Sequence, residues 1–241
     1  MSTAPAGVST APERPRAAMI LAAGRGERMR PLTDTTPKPL LRVHGETLIE
    51  RHVSGLVRAG FERIVVNLSW LGSQIRDYLG DGARYGAPIM YSDEDSRALE
   101  TAGGIFHALP HLSPGPFAVV NGDIYTDFPF DTLSLASNRD AHLVLVPTPG
   151  YLKGDFGLER GEALAAADVR FTFSGIGVYR AAFFDRCVEG VFPLLPLLVR
   201  SMEAGRCSAE LYTGLWEDVG TPQRLAALNA AQPRRSTQAA S

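Results

Sequence analysis

The sequence predicts an α/β fold in which a mostly parallel sheet has helices on both of its faces. Short apolar runs, typical of strands buried on both sides, alternate along the chain with segments whose apolar residues recur at helical spacing. Strands that alternate with helices form βαβ units, which place the strands parallel and the helices over the sheet. Polar and small residues directly follow several of the runs, and ligands bind at those strand ends.

The elements follow one another regularly in the first half of the chain. We predict strands at 19–21, 61–67, 88–91 and 117–120, and helices at 46–59 and 70–79, with Gly60 and Gly80 at the two helix ends. Thr101 and Asp131 are predicted N-caps, and the segment after Asp123 is predicted to be helical. Further strands are expected at 141–147 and 171–179, and helices at 194–203 and 224–231, the last after Thr221-Pro222.

Length and composition exclude several classes of protein. The chain has 241 residues, 45% of them hydrophobic, and a formal net charge of −2, which fits a soluble cytoplasmic protein. No basic face is evident, so nucleic acid is not an expected partner. No apolar run approaches the length of a membrane span, so no membrane partner is expected either. The two cysteines are isolated and expected to be reduced, and the oligomeric state is left open.

Both ends of the chain are polar and lack hydrophobic periodicity. Residues 1–16 are rich in Ala, Pro, Ser and Thr and lack the apolar segment of a secretory signal, so a disordered leader is expected. A flexible tail is expected at 232–241. The folded domain is therefore predicted to span residues 17–231.

The stretch 18–41 carries the clearest chemical signal. Its apolar run is followed by small residues, Ala22, Ala23, Gly24 and Gly26, and then by the cations Arg25, Arg28, Arg30 and Lys38. Small residues expose backbone N–H groups, and neighbouring cations compensate phosphate charge. Two better-known phosphate loops do not fit, because Met29 occupies the third glycine position of G-x-G-x-x-G and no G-x-x-x-x-G-K-[ST] is present. An ordinary glycine- and arginine-rich βα loop is the alternative.

Other polar residues are predicted to reach the same edge of the sheet. Asn67 and the string Asn121-Gly122-Asp123 each end a predicted strand, as the glycine-rich loop does. An Asn-Gly pair often forms a hairpin turn, but no matching antiparallel strand is evident after it. A carboxylate in this position could share a Mg²⁺ ion with substrate phosphates. The pair His107 and His111 has zinc-like spacing but lacks a third ligand, and no G-x-S-x-G is present.

Three strings together resemble a known family. Residues 24–33 (GRGERMRPLT) with 37–41 (PKPLL), Asn121-Gly122-Asp123 and 216–222 (WEDVGTP) are similar to the sugar-1-phosphate nucleotidyltransferases, or nucleotide-sugar pyrophosphorylases. The resemblance implies a single Rossmann-like nucleotidyltransferase domain. It also implies an enzyme that transfers a nucleotidyl group from a nucleoside triphosphate to a sugar 1-phosphate and releases pyrophosphate, with Mg²⁺ as cofactor.

The resemblance also implies roles for individual residues. Expected catalytic residues are Arg28, Lys38 and Asp123, and the expected metal ligands are Asp123 and Asp218. Expected nucleotide-binding residues are Leu21, Ala22, Ala23, Gly24, Gly26, Arg28, Met29, Lys38, Gly103 and Gly104. Expected sugar-phosphate contacts are Asn121, Asp155 and Gly175. The Glu-Lys-Pro string whose lysine binds the sugar phosphate in many relatives is absent, which leaves that contact unassigned.

One turn narrows the resemblance further. Glu100-Thr101-Ala102-Gly103-Gly104 is similar to the corresponding turn of N-acetylmuramate-1-phosphate uridylyltransferases, which act in peptidoglycan recycling and end after one catalytic domain. This subgroup implies UTP and N-acetylmuramic acid 1-phosphate as substrates. Mannose-1-phosphate guanylyltransferase and glucose-1-phosphate thymidylyltransferase remain as alternatives. A regulatory module that binds nucleotide sugars without catalysis is disfavoured, because the acids and cations named above are present.

Overall fold

Nine strands form one central sheet in the part of the chain that the computed structural model describes, residues 11–94, 98–112 and 114–232. The helices are α1 (Leu48–Arg58), α2 (Gly72–Leu79), α3 (Glu100–Ala108), α4 (Leu195–Glu203) and α5 (Pro222–Ala230). The strands are β1 (Ala17–Leu21), β2 (Arg42–Val43), β3 (Glu46–Thr47), β4 (Arg63–Leu68), β5 (Ile89–Asp93), β6 (Phe117–Asn121), β7 (Ile124–Thr126), β8 (Ala141–Val146), β9 (Gly157–Glu159), β10 (Glu162–Leu164), β11 (Thr172–Tyr179), β12 (Cys207–Leu211) and β13 (Trp216–Asp218). None of the helices within these ranges is long and apolar enough to cross a bilayer.

The strand order of the central sheet is β5-β4-β1-β6-β11-β8-β12-β10-β9. The first four strands are parallel neighbours, and β11 runs antiparallel between β6 and β8. Leu21 at the end of β1 is in register with Asn67 on one side and Asn121 on the other. The predicted strand ends therefore do meet at one edge of the sheet.

Helices cover both faces of this sheet, as predicted. Along β1, Ala17 and Met19 contribute to one buried cluster with residues of α3 and α4. Ala18 and Ile20 contribute to another with residues of α1 and α2. Since successive side chains of a strand point to opposite faces, a continuous apolar run is what a doubly covered strand requires. The predicted fold class is confirmed.

The prediction of a helical segment after Asp123 is wrong. Residues Ile124–Thr126 form β7, which pairs antiparallel with β13, so that Asp218 is in register with Ile124. The antiparallel partner lies about ninety residues further along the chain, where no local pattern of the sequence reveals it. Asp131 is not a helix N-cap, because it lies inside a single 3-10 turn, Phe130–Thr132.

The helix ends differ from the predictions at two further places. Helix α1 begins at Leu48 because the Thr47 hydroxyl caps it, accepting a hydrogen bond from the Glu50 N–H at 3.2 Å. Thr101 is not the cap of α3, which begins at Glu100 after Leu99 and has no side-chain cap. The predicted start of the last helix is confirmed, since Thr221 accepts from the Arg224 N–H and Pro222 opens α5.

The domain includes part of the predicted leader. Glu13 exchanges two backbone hydrogen bonds with Leu135, both of 2.9 Å, and its carboxylate pairs with Arg180 at 3.0 Å. Residues 11–16 thus lie against the domain, because backbone groups of a bridge satisfy each other and hold the chain in place. Residues 1–10 of the predicted leader and 233–241 of the predicted tail lie outside the described residues.

Candidate active site

A cavity of about 470 Å³ lies at the carboxyl ends of the parallel strands. A cavity of this volume can hold a small molecule. The predicted nucleotide-binding residues that line it are Leu21, Ala22, Ala23, Gly24, Gly26, Arg28, Met29 and Lys38. Asn121 and Asp123 line it as well, so the structure brings most of the predicted site together.

Gly26 shapes the loop that follows β1. Its φ is +67°, and its carbonyl accepts hydrogen bonds from the Thr33 hydroxyl at 2.8 Å and from the Met29 N–H at 2.9 Å. A Cβ here would lie 3.1 Å from the Thr33 methyl group and 3.3 Å from Lys38. Both the left-handed backbone and this close approach require glycine at position 26. Because glycine has no side chain, Lys38 can pack closely against the loop.

Only some of the loop cations face the cavity. Arg25 stacks over the Trp70 ring at 4.2 Å, and Arg30 forms an ion pair with Asp34 at 2.7 Å. Arg28 is exposed on the cavity wall, whereas Lys38 is buried. Arg28 and Lys38 are therefore the loop cations that can meet a bound anion.

Lys38 is paired with the principal predicted acid. Its Nζ lies 2.5 Å from Oδ2 of Asp123; the lysine side chain is 8% exposed and the aspartate side chain 36%. Burying an ammonium group is costly unless an anion or several hydrogen bonds compensate it, and Asp123 supplies that compensation. The pair places one positive and one negative group side by side on the cavity wall.

The β7–β13 pairing brings the second acid, Asp218, beside the segment that carries Asp123, although Asp218 itself does not line the cavity. The Val219 N–H donates to the carbonyl of Asp123 at 3.1 Å, so the backbones that carry the two acids are directly joined. Asp218 forms an ion pair with Arg224 at 2.6 Å, and Gly220, two residues further on, lines the cavity.

A buried cluster holds the loop and the two acid-bearing strands together. Met29 of the loop packs with Tyr125 of β7 and with Val219, which directly follows Asp218. Val219 directly follows Asp218 and Tyr125 follows Asp123 by two positions, so the same cluster anchors the chain next to each acid. Burial of such side chains contributes roughly 1.5–3 kcal/mol each, enough to keep the acids and the loop in a common arrangement.

The donor atoms of Asp123 and Asp218 fit a Mg²⁺ ion. Both residues offer carboxylate oxygens. Each carboxylate forms an ion pair with one cation, Asp123 with Lys38 and Asp218 with Arg224. Within residues 11–94, 98–112 and 114–232, no group of three acidic, histidine or cysteine side chains could enclose a metal. Mg²⁺ does not need such a cage, because it commonly keeps waters and substrate phosphates as its other ligands.

A buried polar network that the sequence analysis did not identify forms another wall of the cavity. The Asn67 side chain accepts from the Ala22 N–H at 2.7 Å and donates to Glu94 at 2.6 Å. The other oxygen of Glu94 accepts from the Leu99 N–H at 2.8 Å. Both side chains are buried, so the network ties β1, β4 and the approach to α3 into one rigid wall.

The remaining predicted residues lie apart from the cavity wall. Gly103 and Gly104 are buried within α3, whereas Glu100 and Thr101 line the cavity. Gly175, at φ +81°, lies behind Asn121, where a Cβ would be 2.5 Å from the Asn121 amide nitrogen. Asp155 accepts from the Phe173 N–H at 2.8 Å and does not line the cavity. The proposed contacts of these residues with substrate stay predictions.

His52 of α1 is a further residue without a sequence signal. It is 1% exposed, and its Nε2 lies 3.0 Å from the carbonyl oxygen of Ile124, the residue after Asp123. Burial lowers the pKa of His52 from 6.5 to about 4. The neutral ring therefore donates to this carbonyl and fixes the start of β7.

His52 should make the protein sensitive to acid. Because its pKa is lower in the folded than in the unfolded state, the stability it confers is present above pH 6.5 and is lost as the pH falls towards about 4. The full loss, below about pH 4, should be roughly 3 kcal/mol, of which about 2 kcal/mol should already be lost at pH 5. Thermal unfolding in metal-free buffer at pH 7.5 and pH 5 measures it. His52→Gln keeps an amide donor but does not titrate, so its melting temperature should fall less between the two values. An equal fall in both proteins would contradict this.

Comparisons with known proteins identify a family and relatives whose sequences are similar to this chain. A family model described as nucleotidyl transferase matches residues 17–162. The N-acetylmuramate alpha-1-phosphate uridylyltransferase of Neisseria meningitidis is 52% identical over 223 residues, covering 86% of this chain and 94% of that protein. The protein of the same name from Caulobacter vibrioides is 35% identical over 238 residues, covering 90% and 97%.

Solved structures support the fold. HddC from Yersinia pseudotuberculosis, complexed with GMP-PN, has a TM-score of 0.72 at 19% identity, covering 89% of this chain and 98% of that chain. The inositol-1-phosphate CTP transferase from T. maritima has a TM-score of 0.72 at 18% identity, covering 90% and 96%. With the match to the family model and the identity to two full-length relatives, these findings show that the chain is an enzyme of the nucleotidyl transferase family.

Proposed function

We propose that this protein is a Mg²⁺-dependent uridylyltransferase that joins UTP to N-acetylmuramic acid 1-phosphate and releases pyrophosphate. The observation that carries the proposal is the Lys38–Asp123 pair, which lies on the cavity wall beside the glycine-rich loop. The identity of 52% to a relative named for this activity supports the choice of substrates. The product would be a nucleotide sugar for peptidoglycan recycling, formed in the cytoplasm where nucleoside triphosphates are available.

The reaction requires no general base. The 1-phosphate of the sugar has its second pKa near ~6, so its attacking oxygen is already ionised at neutral pH. That oxygen forms a bond to the α-phosphorus of UTP, and the bond from this phosphorus to the pyrophosphate oxygen breaks. Catalysis then depends on alignment and on neutralising charge.

The residues of the cavity divide these tasks. The small residues after β1 allow the triphosphate to approach the backbone closely, and Lys38 and Arg28 compensate the negative charge that grows on the leaving pyrophosphate. A Mg²⁺ ion held by Asp123 and Asp218 would neutralise phosphate charge and orient the phosphate oxygens. The Asn67–Glu94 network fixes Ala22 on the wall beside the nucleotide, since its N–H is already bonded to Asn67.

UTP should be the preferred nucleotide. The segment that resembles the uridylyl-transferring relatives contributes Glu100 and Thr101 to the cavity, next to the buried Glu94 carboxylate. A carboxylate can accept a hydrogen bond from the N3–H of uracil, whereas adenine has no hydrogen on the corresponding ring nitrogen. Release of pyrophosphate from UTP, GTP, ATP and dTTP, each with a panel of sugar 1-phosphates, measures the preference, and we expect the highest kcat/KM for UTP.

The same panel separates the alternatives. A higher kcat/KM for GTP with mannose 1-phosphate, or for dTTP with glucose 1-phosphate, would contradict the proposal in favour of those specificities. A regulatory module would bind nucleotide sugars but release no pyrophosphate from any pair. The presence of Asp123, Asp218, Arg28 and Lys38 opposes this alternative, because acids that can hold a metal ion and cations that can neutralise a leaving pyrophosphate are needed for catalysis.

A further inference from the structure

The phosphate of the acceptor sugar still lacks a protein partner, since the Glu-Lys-Pro string that binds it in many relatives is absent. We propose that Arg224, stacked on Tyr151, binds this phosphate. The inference rests on the proposed function, because it names a residue for the acceptor substrate of that reaction. Lys38 and Arg28 belong to the glycine-rich loop and are assigned to the triphosphate.

Arg224 is not itself a cavity-lining residue, but it lies directly behind Gly220, which is. Its Nη1 lies 2.6 Å from Oδ2 of Asp218, and a Cβ at the cavity-lining Gly220 would be only 3.2 Å from the same nitrogen. Because Gly220 has no side chain, nothing of that residue beyond its backbone separates the guanidinium from the cavity. The Asp218 carboxylate is still closer to this position, at 2.8 Å.

Tyr151 holds the guanidinium from another direction. The centroid of its ring lies 3.8 Å from the Arg224 Cζ, and the tyrosine itself is 48% exposed. Tyr151 belongs to the connection between β8 and β9, which also contains Lys153 and Asp155, the region predicted to meet the sugar. Arg224 therefore links the proposed metal ligand Asp218 to the proposed sugar-binding segment, which is where the acceptor phosphate must lie.

The guanidinium retains donors for a phosphate. Among the described residues, its hydrogen bonds to Asp218 all come from Nη1. A guanidinium has five N–H donors in a rigid plane, so Nε and Nη2 remain for an incoming anion. Arginine is also suited to this role because its planar fork matches two phosphate oxygens while its face stacks on an aromatic ring.

The test compares KM for the two substrates in variants of this pair. With UTP and Mg²⁺ saturating, Arg224→Gln should raise KM for N-acetylmuramic acid 1-phosphate about ten- to one-hundredfold, the usual effect of losing a charge-assisted hydrogen bond. KM for UTP should change less than about threefold, and Arg224→Lys should restore part of the loss. Tyr151→Ala should raise KM for the sugar phosphate about fivefold, while Tyr151→Phe, which keeps the ring, should not.

Arg76 provides a matched control. It also pairs with a carboxylate, Asp93 at 2.8 Å, and stacks on a ring, that of Tyr91 at 4.4 Å. Unlike Arg224, it contacts neither a proposed metal ligand nor the cavity-lining Gly220. Arg76→Gln removes the same kinds of contact and should leave both KM values unchanged. A rise in KM for the sugar phosphate in this variant would overturn the assignment, since the effect would then not be specific to Arg224.

Other outcomes also decide the proposal. If Arg224 only positions Asp218, Arg224→Gln should raise the Mg²⁺ concentration for half-maximal rate and leave KM for the sugar phosphate unchanged, which overturns it. If Arg224→Gln does not fold, the comparison of Tyr151→Ala with Tyr151→Phe decides, and equal KM values overturn it. Failure of the proposed function is recognised separately, because the wild-type protein would then release no pyrophosphate from UTP with this sugar phosphate.

Discussion

Replacing Asp123 by Asn should lower kcat by about two to three decades or more at saturating Mg²⁺, while the protein stays folded. The change removes a carboxylate from the proposed metal site and the anion that balances Lys38. Folding should survive, because asparagine keeps the shape of the side chain and an oxygen that accepts from Lys38 Nζ. Pyrophosphate release measures the first effect and thermal unfolding the second.

Asp131→Asn is a suitable control for this variant. Asp131 is exposed in a 3-10 turn eight positions further along the chain and does not line the cavity. Its replacement should leave kcat and melting temperature near their wild-type values, since isolated surface carboxylates contribute little. Near-normal turnover in the Asp123→Asn protein would remove Asp123 from the catalytic site.

Replacing Lys38 by Ala should reduce kcat by at least tenfold, and Arg28→Ala should reduce it similarly or more. These cations meet charge that develops on the departing pyrophosphate, and contacts that strengthen in the transition state lower kcat when they are removed. The loss of one such desolvated contact costs about 2–4 kcal/mol, or roughly two to three decades in rate. Steady-state kinetics with both substrates saturating give the value.

Lys38→Arg should restore little of this activity. The lysine is buried against Gly26 and lies between Pro37 and Pro39, where a planar guanidinium cannot replace a compact ammonium group. Arg14→Ala and Arg16→Ala are the controls, because both residues are exposed and the Arg16 side chain forms a surface ion pair with Glu62. Wild-type kcat in Lys38→Ala, with only weaker binding of the sugar phosphate, would contradict a role of this loop with the triphosphate.

Local pattern was enough to predict the parallel half of the fold. Residues 19–21, 64–66 and 117–120 are apolar on consecutive positions because both faces of their strands are buried, and each of these segments shows this pattern by itself. The glycine-rich loop was predictable for a similar reason, since Gly26 must adopt a positive φ. The identity of the two acids came from the resemblance to relatives, as neither Asp123 nor Asp218 is distinctive alone.

The tertiary structure decided how these residues are combined. It pairs β7 with β13 and thereby joins the backbones of Asp123 and Val219, a contact between short strands whose three-residue length leaves almost no pattern to read. It stacks Arg25 on the Trp70 ring and pairs Arg30 with Asp34, although the sequence does not distinguish these two arginines from Arg28.

The same holds for the polar residues that the sequence analysis missed. His52 lies on the apolar face of a helix, where its contact with Ile124 depends on the packing of α1 against β7. In the sequence, Arg224 does not differ from any other arginine in the first turn of a helix. Only the folded structure places its side chain between Asp218 and Tyr151. The sequence by itself determined which segments are buried and where the backbone is open to a phosphate, because those are properties of neighbouring residues. The contacts of Lys38 with Asp123, of His52 with Ile124 and of Arg224 with Tyr151 join residues 70 or more positions apart, and such contacts exist only once the sheet has formed.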